Sequence, residues 1–439
     1  MSETTTTDLN EAMKIIFAEP LINNVVSDSE LMQLFQTEAN VKNDETTGGR
    51  WIEMAHYFAL PAGVGARAEG EYIPIPGSPD FKNSKIYLRK LQGVVEMTGD
   101  VMRKVTGSEG AFLDYMARAL PDLVERLKNE VDRQYIGYGA GIKARITSFA
   151  GAGPYTIVVE DALGVNGFED AWLQFLEGES LVFSDTAGGA VLRNAGTGQA
   201  ATLTNIDEAT NTLTVTAAAG LNAAWQNQDY IFAGDASGSS NRTAGGEDRE
   251  IAGLLAAVDD GGIVATYNNI ARSGNRYWQG IVLDASLAPF NGAMSEDLLT
   301  YADDETFVRG GGKVDVLVMS RSAVRGYWKS LKSDRFYPDP RSYTGGKTGV
   351  AIMLGDRTLT LKVARKMPPQ LAFGLTTDSF RRITLGAWEW DDRTGSIWNR
   401  VTDANGRKDA YYAVGNMYEQ LFCTQPRRNF RIDGLAKVQ

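Results

Sequence analysis

The stretch that most constrains this chain is Ser108 to Tyr138, SEGAFLDYMARALPDLVERLKNEVDRQYIGY. Ser108 offers an N-cap oxygen and Glu109 places an acid in the first turn. Apolar side chains then recur at three and four residues: Phe112, Tyr115, Met116, Ala119, Leu120, Leu123, Val124, Leu127, Val131 and Tyr135. That spacing predicts a helix with one face on a core. Arg118, Asp122, Glu125, Arg126, Lys128, Asp132 and Arg133 fall on the other face, which predicts solvent there. Pro121 removes one donor and predicts a kink rather than an end, because the period continues past it. Gly137, Gly139 and Gly141 supply the stop. A rod of this length is on the order of 45 Å long. It predicts a spine, with an arm and hairpin before it and two β-rich modules after it.

The chain has 439 residues, more than one ordinary domain, and 43% of them are hydrophobic. The opening MSETTTTDLNEAMK is polar and acidic, unlike a signal peptide. No apolar run approaches the roughly 20 residues that cross a bilayer, so no membrane role is expected. One cysteine, Cys423, excludes an intrachain disulfide framework. One histidine, His56, lies in a strand-like run and reads as structural. Any metal site would have to be all-oxygen. The net charge is −11, and it is local: Arg145 to Asp235 holds two basic and eleven acidic residues, against 42 and 44 elsewhere. A nucleic-acid footprint would need a basic stripe, and none is present.

Residues 1–49 read as an arm with short helical pieces at Leu9–Phe17 and Ser29–Phe35. Arg50–Leu60 and Ile86–Met97 read as the two strands of a long hairpin whose Gly- and Pro-rich tip lies between them. A two-stranded ribbon is marginal in water. No host for Trp51, Phe58 and Phe81 is evident in the same chain, so a neighbouring subunit is expected to supply one. Residues 146–235 carry short strand signals separated by glycine turns, the pattern of a small barrel or sandwich. Residues 236–248 are a Ser/Gly linker by composition. From Glu250 helices and strands alternate, which predicts an α+β domain. Strands dominate from Ala372 onward, with Ala410–Cys423 expected beside the spine.

Chemical motifs are weak. TGGKT, residues 344–348, has Arg341 where a phosphate loop needs its first glycine. Gly137, Gly139 and Gly141 follow a helix rather than a strand, the wrong context for a dinucleotide turn. Asp403, Asn405 and Asp409 lack the calcium-loop spacing and suit a polar hairpin turn. The adjacent acids Asp259/Asp260, Asp303/Asp304 and Asp391/Asp392 read as solvated loops. No nucleophile–base pair stands out, so neither an enzyme nor a cofactor is expected.

The order of segments resembles that of a tailed-bacteriophage major capsid protein with the HK-ninety-seven-type shell fold. Glu109–Gly141 resembles the spine helix and its glycine turn. Glu250-Ile-Ala-Gly-Leu-Leu, Thr266-Tyr-Asn-Asn-Ile-Ala-Arg and Trp278-Gln-Gly resemble the opening of the axial domain. Val314–Ser320 with Tyr327 and Leu331 resembles its strand and helix, and Met367-Pro368 and Pro426–Leu435 its last strands. Residues 146–235 depart from the minimal fold and resemble the β-barrel insertions of some members.

The resemblance implies an α+β shell fold in six parts. These are an arm (1–49), an extended hairpin or E-loop (50–100), a peripheral domain with the spine (101–145), a β-barrel insertion (146–235), an axial domain (236–371) and C-terminal strands returning to the peripheral domain (372–439). It implies a structural subunit that assembles with itself into pentamers and hexamers. About 50 residues precede the hairpin, so a separate scaffolding protein is expected. A portal, a decoration protein and packaged double-stranded DNA held without tight binding are the other expected partners. The expected place is the virion capsid, after assembly in the host bacterial cytoplasm. Arg67, Glu69, Glu71, Lys82 and Lys85 are the candidates for contacts between subunits, and Lys82, Lys85 and Lys90 the lysines that cross-linking would draw on. The same fold builds enzyme-holding nanocompartments, and a tail, decoration or glycan-binding protein is a further alternative.

Overall fold

The structure is a computed structural model. It describes residues 31, 34–35, 37–38, 51–59, 64–72, 77–100, 123, 126–151, 153–189, 192–193, 201–217, 225–234, 249–330, 352–354, 357–384, 389–392, 395, 397–403 and 406–438. The readings of the Leu9–Phe17 helix, the Ser108 cap, the Pro121 kink, the 236–248 linker and TGGKT lie outside them, and the Ser29–Phe35 helix meets them only at Leu31, Leu34 and Phe35.

In chain order, β1 (Thr37–Glu38) precedes a ribbon of β2 (Ile52–Ala59) and β3 (Asp80–Ile86), then β4 (Arg89–Thr98). A helix, α1, covers residues 126–136. Six strands follow: β5 (Ile142–Ala150), β6 (Tyr155–Glu160), β7 (Ser180–Ser184), β8 (Ala201–Asp207), β9 (Thr212–Thr216) and β10 (Tyr230–Ala233). Next come α2 (Leu254–Ala257), β11 (Thr266–Tyr267), β12 (Ile270–Ala271), β13 (Ile281–Asp284), α3 (Glu296–Gly310), β14 (Val316–Met319) and α4 (Arg321–Ser330). The chain closes with β15 (Ile352–Leu354), β16 (Arg357–Val363), β17 (Ala372–Leu375), β18 (Phe380–Thr384), β19 (Glu389–Trp390), β20 (Asn399–Asp403), β21 (Gly406–Cys423) and β22 (Phe430–Asp433).

β21 is the axis of the first sheet. Its 18 residues pair antiparallel with β4, β18, β19 and β20, and β1 adds to β18 in parallel. The expected hairpin is corrected here. β2 pairs with β3, whereas β4, which holds most of the run read as the second hairpin strand, pairs with β21 from Ala410↔Thr98 to Glu419↔Arg89. DFKNSKI is too polar to read as a strand by itself; it qualifies because one of its edges is paired and its outer face is wet.

The second sheet runs β13-β22-β17-β14-β16-β15, with parallel pairs β13/β22 and β14/β16. Two C-terminal strands, β17 and β22, lie in its middle, so 372–439 divides between the two sheets, with β18 to β21 in the first. α3 starts where Ser295 Oγ accepts from the Leu298 amide at 3.3 Å, with Glu296 and Asp297 in its first turn. Asp259, read as a solvated loop acid, is fully buried. It accepts from the Gly261, Ile263 and Val264 amides and from Arg431 at 2.9–3.1 Å.

β10-β5-β6-β9-β8-β7 form a closed barrel. Its interior holds Ile157, Leu181, Phe183, Leu203, Leu213 and Ile231, each fully buried, and Trp225 against Tyr155 and Phe183 with ring centroids 5.5 and 4.5 Å apart. The barrel begins at Ile142, inside the segment read as peripheral. Ile142, Ala144 and Arg145 pair with Phe232, Ile231 and Tyr230 and close the ring.

α1 buries Leu127, Val131, Tyr135 and Ile136, as its period predicts, and leaves Arg126 exposed. Arg133 departs from that pattern. It is 2% exposed and bonds Glu130 at 2.6 Å and Glu250. A guanidinium turned inward finds carboxylates from its own helix and from the 250 segment, which compensates its burial. Lys143, wholly buried, bonds Glu179 at 2.7 Å and lies 3.9 Å from Glu130. These charges tie α1, the barrel and the 250 segment together.

Three outcomes follow from these contacts. Leu127→Ala should cost about 2–5 kcal/mol of stability in denaturant titration, with Lys128→Ala changing little. Burial by itself raises the Glu130 carboxyl, but Arg133 and Lys143 hold it well below its ordinary 4.5. That contribution is therefore present above pH 4.5 and is lost as pH falls through the folded value. Thermal melts should drop below pH 4.5, and Glu130→Gln should flatten that drop. A fragment from Gly141 to Asp235 should show one cooperative β-rich transition by circular dichroism, whereas one starting at Ile146 should fail to close.

Candidate functional site

The β2/β3 ribbon has two faces. Ile52, Met54, His56 and Phe58 turn inward, while Glu53, Ala55, Tyr57 and Ala59 turn outward and are exposed, the period of two that a strand imposes. The inward face does have an intrachain host, which corrects the expectation that Phe58 lacks one. Phe58, 8% exposed, lies 5.9 Å from Trp278, and His56 lies 4.7 Å from Trp278 and 5.8 Å from Phe422. His56 Nε2 meets Ser84 Oγ at 2.9 Å, and burial pulls its imidazole below the ordinary value.

Trp278 belongs to a polar and aromatic hub. Its indole N–H donates to Tyr267 O at 3.0 Å; Tyr267 stacks on Phe422, and its hydroxyl accepts from the Cys423 amide at 3.1 Å. Burial pushes the Cys423 thiol up to about 12, so it is an inert core group. Arg272, wholly buried, lies over the Tyr267 ring at 5.2 Å and donates to Ala256 O. The ribbon, the 266–278 segment and β21 therefore meet in one place.

Of the five contact candidates, Arg67, Glu69 and Glu71 fall together in the tip, where every described residue from Val64 to Tyr72 is exposed. Val64 is 100% exposed and Tyr72 96%. Lys82 and Lys85 lie instead along the ribbon and are engaged within the chain. Lys82 bonds Asn275 Oδ1 and sits 5.2 Å from the Phe58 ring centroid; Lys85 lies 3.7 Å from Glu53 and 4.7 Å from the Trp51 ring. On the outward face, Tyr57 and Phe81 pair edge-on at 4.9 Å while 47% and 60% exposed.

Beside the ribbon opens a cleft of about 840 Å³, lined by His56, Tyr57 and Phe58 of the ribbon and by Tyr277, Arg309, Arg427 and Arg428. These arginines lie far apart in sequence, and the only signal that could have flagged them is the doublet at 427–428. Glycines bring them together: a Cβ on Gly310 would stand 2.0 Å from Arg427 O, and one on Gly312 2.4 Å from Arg428 O. Arg427 donates to Arg309 O and Arg276 O, a cation at the C-terminal end of α3. Burial, then repulsion from Arg309 and Arg276, lowers the Arg427 guanidinium below its ordinary value. Among the described residues there is no group of three or more His, Cys, Asp or Glu side chains placed to hold a metal ion, and no helix long and apolar enough to cross a membrane.

No family model matches the chain, and no curated protein matches it. Among solved structures it is similar to a chain of the cyanophage A-1(L) capsid asymmetric unit, with TM-score 0.49 and 10% identity over 88% of each chain. It is similar to a chain of the capsid of a native GTA particle, with TM-score 0.44 and 9% identity over 93% of this chain and 90% of that one. A chain of the holo-SrpI encapsulin complex from Synechococcus elongatus PCC 7942 gives TM-score 0.36 and 8% identity over 88% and 83%. Likenesses at this depth assign no residue a role.

Proposed function

We propose that this chain is the major capsid protein of a tailed bacteriophage, a structural subunit that assembles with its own copies into pentamers and hexamers around double-stranded DNA. The observation that carries the reading is the hairpin. Its ribbon is clamped to the body through Phe58, His56 and Trp278, yet the described residues of its tip, Val64 to Tyr72, are all exposed. A monomer gains little from ordering such a tip, because ordering costs conformational entropy that only contacts repay. A neighbouring copy can supply those contacts. The same tip then meets the same site on each successive copy, a heterologous contact that closes into rings when the rotation closes. Arg67, Glu69 and Glu71 are the charged groups offered to that contact, each pair worth little alone and repeated at every subunit.

The barrel supports an outward-facing role in this reading. Both of the basic residues in the acidic block are used internally, Arg145 on Asp161 and Arg193 on Asp229, each at 2.9 Å. Its outer surface is left acidic, which repels like surfaces and phosphate alike. Scaffolding, portal and decoration proteins are the partners this reading adds, and the subunit itself carries no catalytic role in it.

Expressed with the genes that flank its own, the full chain should enter particles of many megadaltons, seen by light scattering and negative-stain microscopy. Replacing residues 62–77 with an Asn-Gly turn should leave the subunit's melt within about 2 °C and abolish the particles. A wild-type chain that stays monomeric would overturn the reading. Particles filled with enzyme rather than DNA would assign the chain to the nanocompartment class.

A further inference from the structure

Two features of the molecule are complementary. The first is the cleft, whose wall gathers Arg309, Arg427 and Arg428. Arg276 lies beside them, with its carbonyl bonded to Arg427. Among the described residues the one carboxylate paired with any of the four is Glu305, on Arg309. Exposed Tyr57 and Tyr277, 47% and 46% exposed, flank the basic groups. Arginine and tyrosine gathered in a recess is the composition of an interface hot spot. The second feature is the tip, which offers Glu69, Glu71 and Tyr72, with Arg67 the one cation beside them, on one short exposed stretch. Glu71 accepts from the Ala68 amide at 3.2 Å, a local turn that holds the acidic pair together.

We propose that the cleft of one copy receives the hairpin tip of a second copy, with Glu69 and Glu71 against Arg428 and Arg276 and with Tyr72 between Tyr57 and Tyr277. The inference rests on the shell reading and adds the seat that the tip occupies. Two observations favour a second copy as the occupant. The charges are complementary in a chain whose net charge is −11. None of the described tip residues, Val64 to Tyr72, lines the cleft of its own chain, although ribbon residues do. Carboxylates fit guanidinium groups as bidentate acceptors, which fixes direction as well as position. The contact runs from tip to ribbon flank, so each copy gives one tip and takes one. Arg427 is left to the carbonyls of Arg309 and Arg276, which makes it the rigid floor of the seat.

The test is a cysteine pair in the full chain, expressed with its flanking genes. Cys423 is buried and does not interfere. Glu71→Cys with Arg428→Cys should give, on oxidation, a ladder of three or more linked chains on a non-reducing gel, and neither single variant should. In parallel, Arg276→Glu with Arg428→Glu should leave the subunit's melt within about 2 °C and cut particle yield at least tenfold. Adding Glu69→Arg and Glu71→Arg to the same chain should restore it. Wild-type particles without a ladder, a bond closed within one chain, or no rescue by the fourfold reversal would each overturn the seat and leave the shell reading standing. Reversed-charge particles that form normally but hold less DNA would give the cleft to phosphate groups and also overturn it. A wild-type chain that forms no particles would sink both.

Discussion

A strand of 18 residues must satisfy backbone donors and acceptors along two edges, and β21 meets that demand with β18, β19 and β20 from just before it and β4 from far upstream. β4 lies some three hundred positions earlier, yet it supplies a continuous register from Arg89 to Thr98. β18 takes the other end, where Phe380 faces Cys423. Because β21 ends in Phe422 and Cys423, the same strand delivers its last residues to Tyr267 and Trp278. The hairpin is held through that delivery, since His56 and Phe58 pack on Trp278 and Phe422. Loss of β21 pairing would free the sheet and the ribbon together.

Charge is used in two opposite ways. Inside, at the meeting of α1, the barrel and the 250 segment, Arg133, Glu130, Glu250, Lys143 and Glu179 compensate one another. A buried network of this kind is costly to disturb from one side only, because the remaining partner is left uncompensated. It adds direction to a junction that apolar contact alone would leave free to slide. Outside, the acidic barrel and the arginine cleft remain unbalanced on one subunit. Their charge acts on whatever approaches, and it is screened by salt in a way the internal network is not.

The hairpin joins these two uses. Its ribbon is anchored on the core, with alternate residues half-buried or buried, while the described residues of its tip are all exposed. Rigidity in the ribbon lowers the entropy lost when the tip meets a partner, so weak individual contacts can add up across a closed ring.

Local pattern alone determined the α+β class, the helix stripe of Leu127, Val131 and Tyr135, and the apolar content of the barrel. Each depends on residues a few positions apart, where period and turn chemistry speak directly. The tertiary structure decided what depends on distant partners. It gave β4 to β21 and DFKNSKI to β2, because strand choice rests on which edge is available rather than on the strand's own hydrophobicity. It turned Arg133 and Asp259 inward, since a charge is buried only where a distant opposite charge or a set of amides awaits it, here Glu250, Arg431 and the 261–264 backbone. It also gathered Arg276, Arg309, Arg427 and Arg428 around one cleft, which no spacing in the chain foretells. Gly310 and Gly312 permit that approach, and only the folded backbone shows what a missing side chain makes room for.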